Sequence, residues 1–144
     1  MLCKITEKRQ VSALIPYQKR DGVLHFYLQK REKDSKFMPD MFGIFGGGIE
    51  AGETMEQGLV REIQEELNIT PEGYEFFATY GLPHVVMNIF ALEVADGFEN
   101  TVKVDEGEYG KFFSEADAIA LPNMAFSTKM ALYDLAQHLK GIVK

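Results

Sequence analysis

Apolar residues along this chain fall into two rhythms. Positions 11–18 and 23–30 read VSALIPYQ and VLHFYLQK, runs rich in β-branched and aromatic side chains, and such runs predict strands. Lys19-Arg20-Asp21-Gly22 stands between them; Asp-Gly flanked by strand-like runs predicts a hairpin. Positions 31–41 are polar and contain Pro39, so a loop is expected, with a short strand at 43–45. The rhythm then changes. Leu59, Ile63 and Leu67 recur every four residues with Val60 beside them, which predicts an amphipathic helix. Thr54 followed three residues later by Gln57 is a capping-box pattern and places the helix start near Met55. Strands return at 74–80 and 85–94, the second so continuously apolar that it reads as central. Asp96-Gly97 and residues 105–107 are turn-like, and 109–113 is a short strand. Ser114 with Asp117 can cap a short helix at 115–120. A last helix should start near Ser127 and stop at Gly141, burying Met130, Leu132, Leu135, Ala136 and Leu139. Helices interspersed with a mixed sheet predict the α/β class, an α/β/α sandwich.

The chain has 144 residues, 46% of them hydrophobic and 26% charged, the balance of one ordinary globular domain spanning 1–144. No apolar run approaches the ~20 residues of a membrane span. The opening MLCKITEKRQ has no apolar core, so no signal peptide is expected. Cys3 is the only cysteine, which rules out an internal disulfide and suits the cytoplasm. The net charge of −7 argues against a nucleic-acid footprint. A homodimer is left open.

The negative charge is concentrated. Positions 47–69 read GGIEAGETMEQGLVREIQEELNI, with six glutamates against one arginine, giving −5 of the total −7. Glu62, Glu65 and Glu66 are spaced so that a helix brings their carboxylates within an arc of roughly 100°. Like charges so placed cost a helix a few tenths of a kcal/mol. A hard divalent cation with oxygen ligands offsets that repulsion. Ahead of the helix, Gly46-Gly47-Gly48 permits positive φ and a close approach to a ligand. Gly52 marks a turn before Glu53.

These residues resemble the Nudix box, Gly-x(5)-Glu-x(7)-Arg-Glu-U-x-Glu-Glu-x-Gly-U with U aliphatic. Gly47, Glu53, Arg61, Glu62, Ile63, Glu65, Glu66 and Ile69 match at every interval, and the one departure is Asn68 in place of glycine. Asparagine is the next most tolerant residue for the left-handed helix ending that glycine supplies there. The resemblance implies a Nudix-type α/β/α sandwich with a mixed central sheet. It also implies hydrolysis of a phosphoanhydride in a nucleoside diphosphate-linked substrate, with Mg²⁺ or Mn²⁺ as cofactor and a small-molecule nucleotide as partner. By the same resemblance Glu62, Glu65 and Glu66 are metal ligands, with the Gly47 carbonyl as a fourth. Glu66 is the first choice for the key ligand, and Glu62 or Glu65 could alternatively position the water. Glu53 and Arg61 match the pair that orients the helix.

Outside the box, Arg31 sits where many Nudix proteins place a phosphate-contacting arginine. Glu106-Gly107-Glu108-Tyr109-Gly110-Lys111-Phe112 resembles the Glu-Gly-x-x-Gly-x-Trp segment of MutT-like members, making Glu106 a candidate general base or extra ligand on a loop expected to be mobile. Leu121-Pro122-Asn123 is similar to the segment where MutT-like enzymes read a base, although an asparagine after proline also serves as a turn or helix cap. His25, His84 and His138 show no metal-ligand spacing. Gly46 replaces a proline common in dNTP-cleaving relatives, and Pro83, fourteen positions after Ile69, is out of register with the proline of ADP-ribose hydrolases. The expected activity is that of a MutT-like (d)NTP pyrophosphatase releasing a nucleoside monophosphate and pyrophosphate. An ADP-ribose or nucleotide-sugar hydrolase and a non-catalytic Nudix-fold binding module are the alternatives.

Overall fold

A computed structural model describes residues 8–36 and 38–141; Cys3 lies outside the described residues. Among the described residues seven strands form one sheet: β1 (Arg9–Arg20), β2 (Val23–Lys30), β3 (Phe42–Gly43), β4 (Phe45–Gly48), β5 (Glu75–Gly81), β6 (Val85–Glu93) and β7 (Tyr109–Ser114). Three helices pack on it: α1 (Met55–Leu67), α2 (Glu115–Ala120) and α3 (Phe126–Leu139). The sheet is mixed. β1 runs parallel to β6, from Arg9 beside Val85 to Tyr17 beside Glu93, while the other pairings are antiparallel.

Alternation along the central strands divides the core in two. Ala13, Ile15, Leu24, Phe26, Leu28, Ile89 and Ala91 face α2 and α3, where Ala118, Leu132 and Leu135 meet them. Leu14, Tyr27, Phe90 and Leu92 face the other way, onto Leu59, Ile63 and Leu67 of α1. The period of two on each strand thus buries both faces of the sheet, and the α/β/α sandwich follows. No described helix is long and apolar enough to cross a membrane.

β1 is the strand that positions the site. Its far half pairs with β2 from Tyr17 to Arg20, and its near half pairs with β4 from Val11 to Leu14. Ile15 and Pro16 lie in neither register. Proline has no N–H to give a second ladder, so β1 parts from β2 there, and the glycine strand β4 takes the place beside it. The β1–β2 turn has positive φ at both Asp21 (51°) and Gly22 (78°), the two-residue turn whose twist matches the strands.

Several boundaries differ from the sequence reading. The single strand expected at 43–45 is two strands, β3 on β2 and β4 on β1, divided at Ile44. Met130 is 42% exposed; the buried stripe of α3 is Thr128, Ala131, Leu132, Leu135 and Ala136. Met130 and Leu132 are two residues apart, about 200° around a helix, so they cannot share a face. Leu139 is only partly buried.

Candidate active site

Helix α1 begins as its sequence requires. The Thr54 hydroxyl accepts the Gln57 amide and the Gln57 side chain accepts the Thr54 amide, a closed capping box. Ser12 of β1 donates its hydroxyl to the Met55 carbonyl at 2.8 Å, fixing the start of α1 to the sheet. At the other end Asn68 adopts the left-handed conformation (φ 59°, ψ 34°) that terminates the helix.

Between these ends the three carboxylates have different surroundings. The side chain of Glu65 is 53% exposed and that of Glu62 15%, while Glu66 as a whole is 3% exposed. Glu66 accepts the Gly46 amide at 3.0 Å. Gly46 holds φ at +148°, and a Cβ there would strike the Ser12 carbonyl and the Ala13 backbone. Strand β4 therefore passes between β1 and α1 only without a side chain at this position.

Arg61 organises the rest. Its guanidinium donates to both carboxylate oxygens of Glu53, at 2.8 and 2.9 Å, to the Gly48 carbonyl at 2.8 Å, and to Glu62 at 2.9 Å. Glu65 stands 3.5 Å away. Glu53 also accepts the Glu50 amide at 2.8 Å. The Arg61 bond and this amide hold the Glu53 carboxyl at about 2, below its usual 4.5, and Glu53 in turn raises Arg61 well above the ordinary guanidinium range. The pair joins helix, turn and glycine strand in one bidentate unit.

Glu66 is driven the opposite way, up to about 8. Burial is the main cause, followed by the charge of Glu106; the Gly46 amide opposes, Glu62 adds a further rise, and the charge of Arg31 lowers it. The residue before Glu106 touches this helix directly, the Asp105 amide donating to the Glu66 carbonyl at 2.9 Å. Arg31 follows β2, with its amide on the Met41 carbonyl at 2.8 Å and its guanidinium on the Ser35 hydroxyl at 3.3 Å. Asn123 is placed elsewhere. Its side chain donates to the Asp40 carbonyl at 2.6 Å and its own carbonyl accepts the Phe42 amide, which ties the loop before β3 to the segment before α3.

Gln29 and Lys30, which hold the loop carrying Glu106, were not singled out from the sequence. Both are buried. Gln29 donates to the Glu106 carbonyl, Lys30 pairs with Asp40 and with Glu108 at 3.6 Å, and the Lys30 carbonyl accepts the Glu108 amide at 2.7 Å. Two polar residues closing an apolar strand are the signal that could have found them. Gln29 and Lys30 thus hold the Glu106–Glu108 loop to the end of β2, with Glu108 toward Lys30.

Among the described residues no three Asp, Glu, His or Cys side chains converge on one point. Arg61 draws Glu62 and Glu65 aside, and Glu66 turns to the Gly46 amide. The donor set nevertheless suits a hard divalent cation. The groups it would offer are all oxygens, the Glu66 carboxyl is buried, and Gly47 lies against Glu62 with no side chain between them. A cavity of about 470 Å³ lies elsewhere, lined by Arg20, His25, Lys111, Asp117 and Pro122 among others, and none of these glutamates lines it.

The α/β/α sandwich thus carries a carboxylate helix that Arg61 clamps to Glu53 of the preceding turn and to the Gly48 carbonyl of the glycine strand. The NUDIX domain model matches residues 7–135, and the chain belongs to the Nudix family. It is 29% identical to the ADP-ribose pyrophosphatase of Methanocaldococcus jannaschii, over 96% of this chain and 86% of that protein. It is 36% identical to the 8-oxo-dGTP diphosphatase of Escherichia coli over 49% of this chain and 57% of that protein. The match to the NAD-capped RNA hydrolase NudC of Pseudomonas aeruginosa, at 32%, covers 57% of this chain and 30% of that protein. Among solved structures, the NUDIX domain of Shewanella oneidensis NrtR complexed with ADP ribose superposes with a TM-score of 0.76 at 18% identity, covering 94% of this chain and 90% of that one.

Proposed function

We propose that this Nudix hydrolase, a single domain over 1–144, cleaves the phosphoanhydride of a nucleoside diphosphate joined to a second group, with ADP-ribose as its leading substrate. The observation that carries the chemistry is the placing of Glu62 and Glu66 against the glycine strand by Arg61 and the Gly46 amide. Glu62, Glu65, Glu66 and the Gly47 carbonyl would hold Mg²⁺ or Mn²⁺. Bound there, the cation would neutralise phosphate charge and acidify a water. Arg61 and Glu53 keep α1 in place. Arg31 offers its charge to a phosphate beside Glu66. Glu106, on the loop facing Glu66, takes the proton of the attacking water as general base. The water oxygen bonds to one phosphorus, the bridging oxygen leaves with the other, and ADP-ribose gives AMP and ribose 5-phosphate.

Likeness over nearly the whole chain to an ADP-ribose pyrophosphatase supports this substrate. The (d)NTP pyrophosphatase reading stands second, supported by the local likeness to the 8-oxo-dGTP diphosphatase. Reading a base with Asn123 would require its amide to leave the Asp40 carbonyl. All three box carboxylates are present, which weighs against a non-catalytic binding module.

Purified protein with Mg²⁺ should be assayed against ADP-ribose, nucleotide sugars, dGTP and 8-oxo-dGTP, with products separated by chromatography. The expected result is AMP and ribose 5-phosphate from ADP-ribose, abolished by chelator. Pyrophosphate released faster from a triphosphate would favour the second reading, and no turnover of any of them would overturn both.

A further inference from the structure

The box departs from its family pattern at one residue, and that residue makes contacts a glycine could not. Asn68 ends α1 in the left-handed conformation, its amide on the Gln64 carbonyl at 3.0 Å. Glycine would serve that backbone equally well. The carboxamide does more. Its nitrogen donates to the Lys103 carbonyl at 2.8 Å and to the Asp105 carboxylate at 2.7 Å. Alongside, the Lys103 amide meets the Leu67 carbonyl at 3.1 Å and the Asp105 amide meets the Glu66 carbonyl at 2.9 Å. The segment 103–105 is therefore laid against the last turn of α1, satisfying carbonyls that a helix end leaves open. The next residue is Glu106, whose carbonyl is held from the other side by Gln29.

We propose that the Asn68 carboxamide is a positioning group: it straps segment 103–105 to the end of α1 and so sets Glu106 opposite Glu66. The proposal rests on the reading of Glu106 as general base given above. Two hydrogen bonds from one side chain reach both a backbone carbonyl and a carboxylate, fixing the direction of the segment as well as its distance. In this chain the loop is held ready before substrate arrives.

Asn68→Gly keeps the helix ending and removes only the strap. Hydrogen exchange at the Lys103 and Asp105 amides should then quicken about tenfold while the melting temperature stays near that of the parent. With ADP-ribose and Mg²⁺, kcat should fall about three- to tenfold with KM within about twofold, as expected for a group misplaced in the transition state. In a Glu106→Gln background the same change should cost nothing further, whereas general weakening of the fold would add to it. Asn68→Asp sets two carboxylates against each other and should be worse than glycine; Asn68→Asp with Asp105→Asn restores a donor and should recover part of the loss. Unchanged amide exchange in Asn68→Gly would overturn the strap, and quickened exchange with unchanged kcat would overturn its positioning role. If Glu106→Gln alone leaves kcat intact, the general-base reading fails, and the exchange measurement still decides the strap.

Discussion

Gly47 has no room for a methyl group, since a Cβ there would lie 2.5 and 2.6 Å from the two carboxylate oxygens of Glu62. The obstacle is a side-chain tip, which can swing, so Gly47→Ala should fold normally and displace Glu62. A displacement near 1 Å at a reacting centre can cost about a hundredfold in rate, and that loss of kcat/KM with an unchanged melting temperature is the expected result. Gly46→Ala presses on backbone instead and should lower the melting temperature as well. Glu66→Gln offers a third contrast. Its amide oxygen can still accept the Gly46 amide, so the fold should survive while turnover drops by orders of magnitude, measured under saturating Mg²⁺. Full turnover of that variant would remove Glu66 from its assigned role.

At the scale of elements, α1 was legible almost to the residue because its boundaries are written in local chemistry: a Thr–Gln box at one end and a left-handed asparagine at the other. The strands β3 and β4 were not, because two- and four-residue strands are defined by distant partners, not by periodicity. On α3 Leu132, Leu135 and Ala136 are buried as expected, while Met130 is not, because apolar residues occur on several sides of the helix and only packing selects the stripe. The Glu53–Arg61 clamp belongs to this scale, since it joins helix to turn. Breaking it from either side strands a charge, so the double variant should lose less activity than the two single changes combined; strict additivity in that cycle would count against the pair. The clamp also sets a pH response. Glu53 titrates at about 2 in the fold against 4.5 ordinarily, so its stabilising contribution is complete above 4.5 and is lost as pH falls toward 2. Thermal melts of Glu53→Gln across that range should depend less on pH than those of the parent.

For the whole molecule, the sandwich and the box helix could be read from residues alone, because each is signalled within a short stretch. What could not be read was the fastening of the Glu106 loop, since its anchors, Asn68 and Gln29, lie 37 and 77 positions away in sequence from the residues they hold. The same distance governs the glycine strand. β4 rests on β1, and β1 runs parallel to β6, with Asn88 donating to the Val11 carbonyl across 77 residues. The whole box, ending at Ile69, is therefore synthesised before the strand that completes the support for β1. A peptide covering 42–70 should bind Mn²⁺ far more weakly than the full chain by calorimetry, although it carries every box residue. On the ribosome, the apolar side of α1, with Leu59, Ile63 and Leu67, finds Leu14, Tyr27 and Phe45 already made, but the cluster stays open on the side of Phe90 and Leu92 until β6 emerges, a half-built core offered meanwhile to chaperones and proteases.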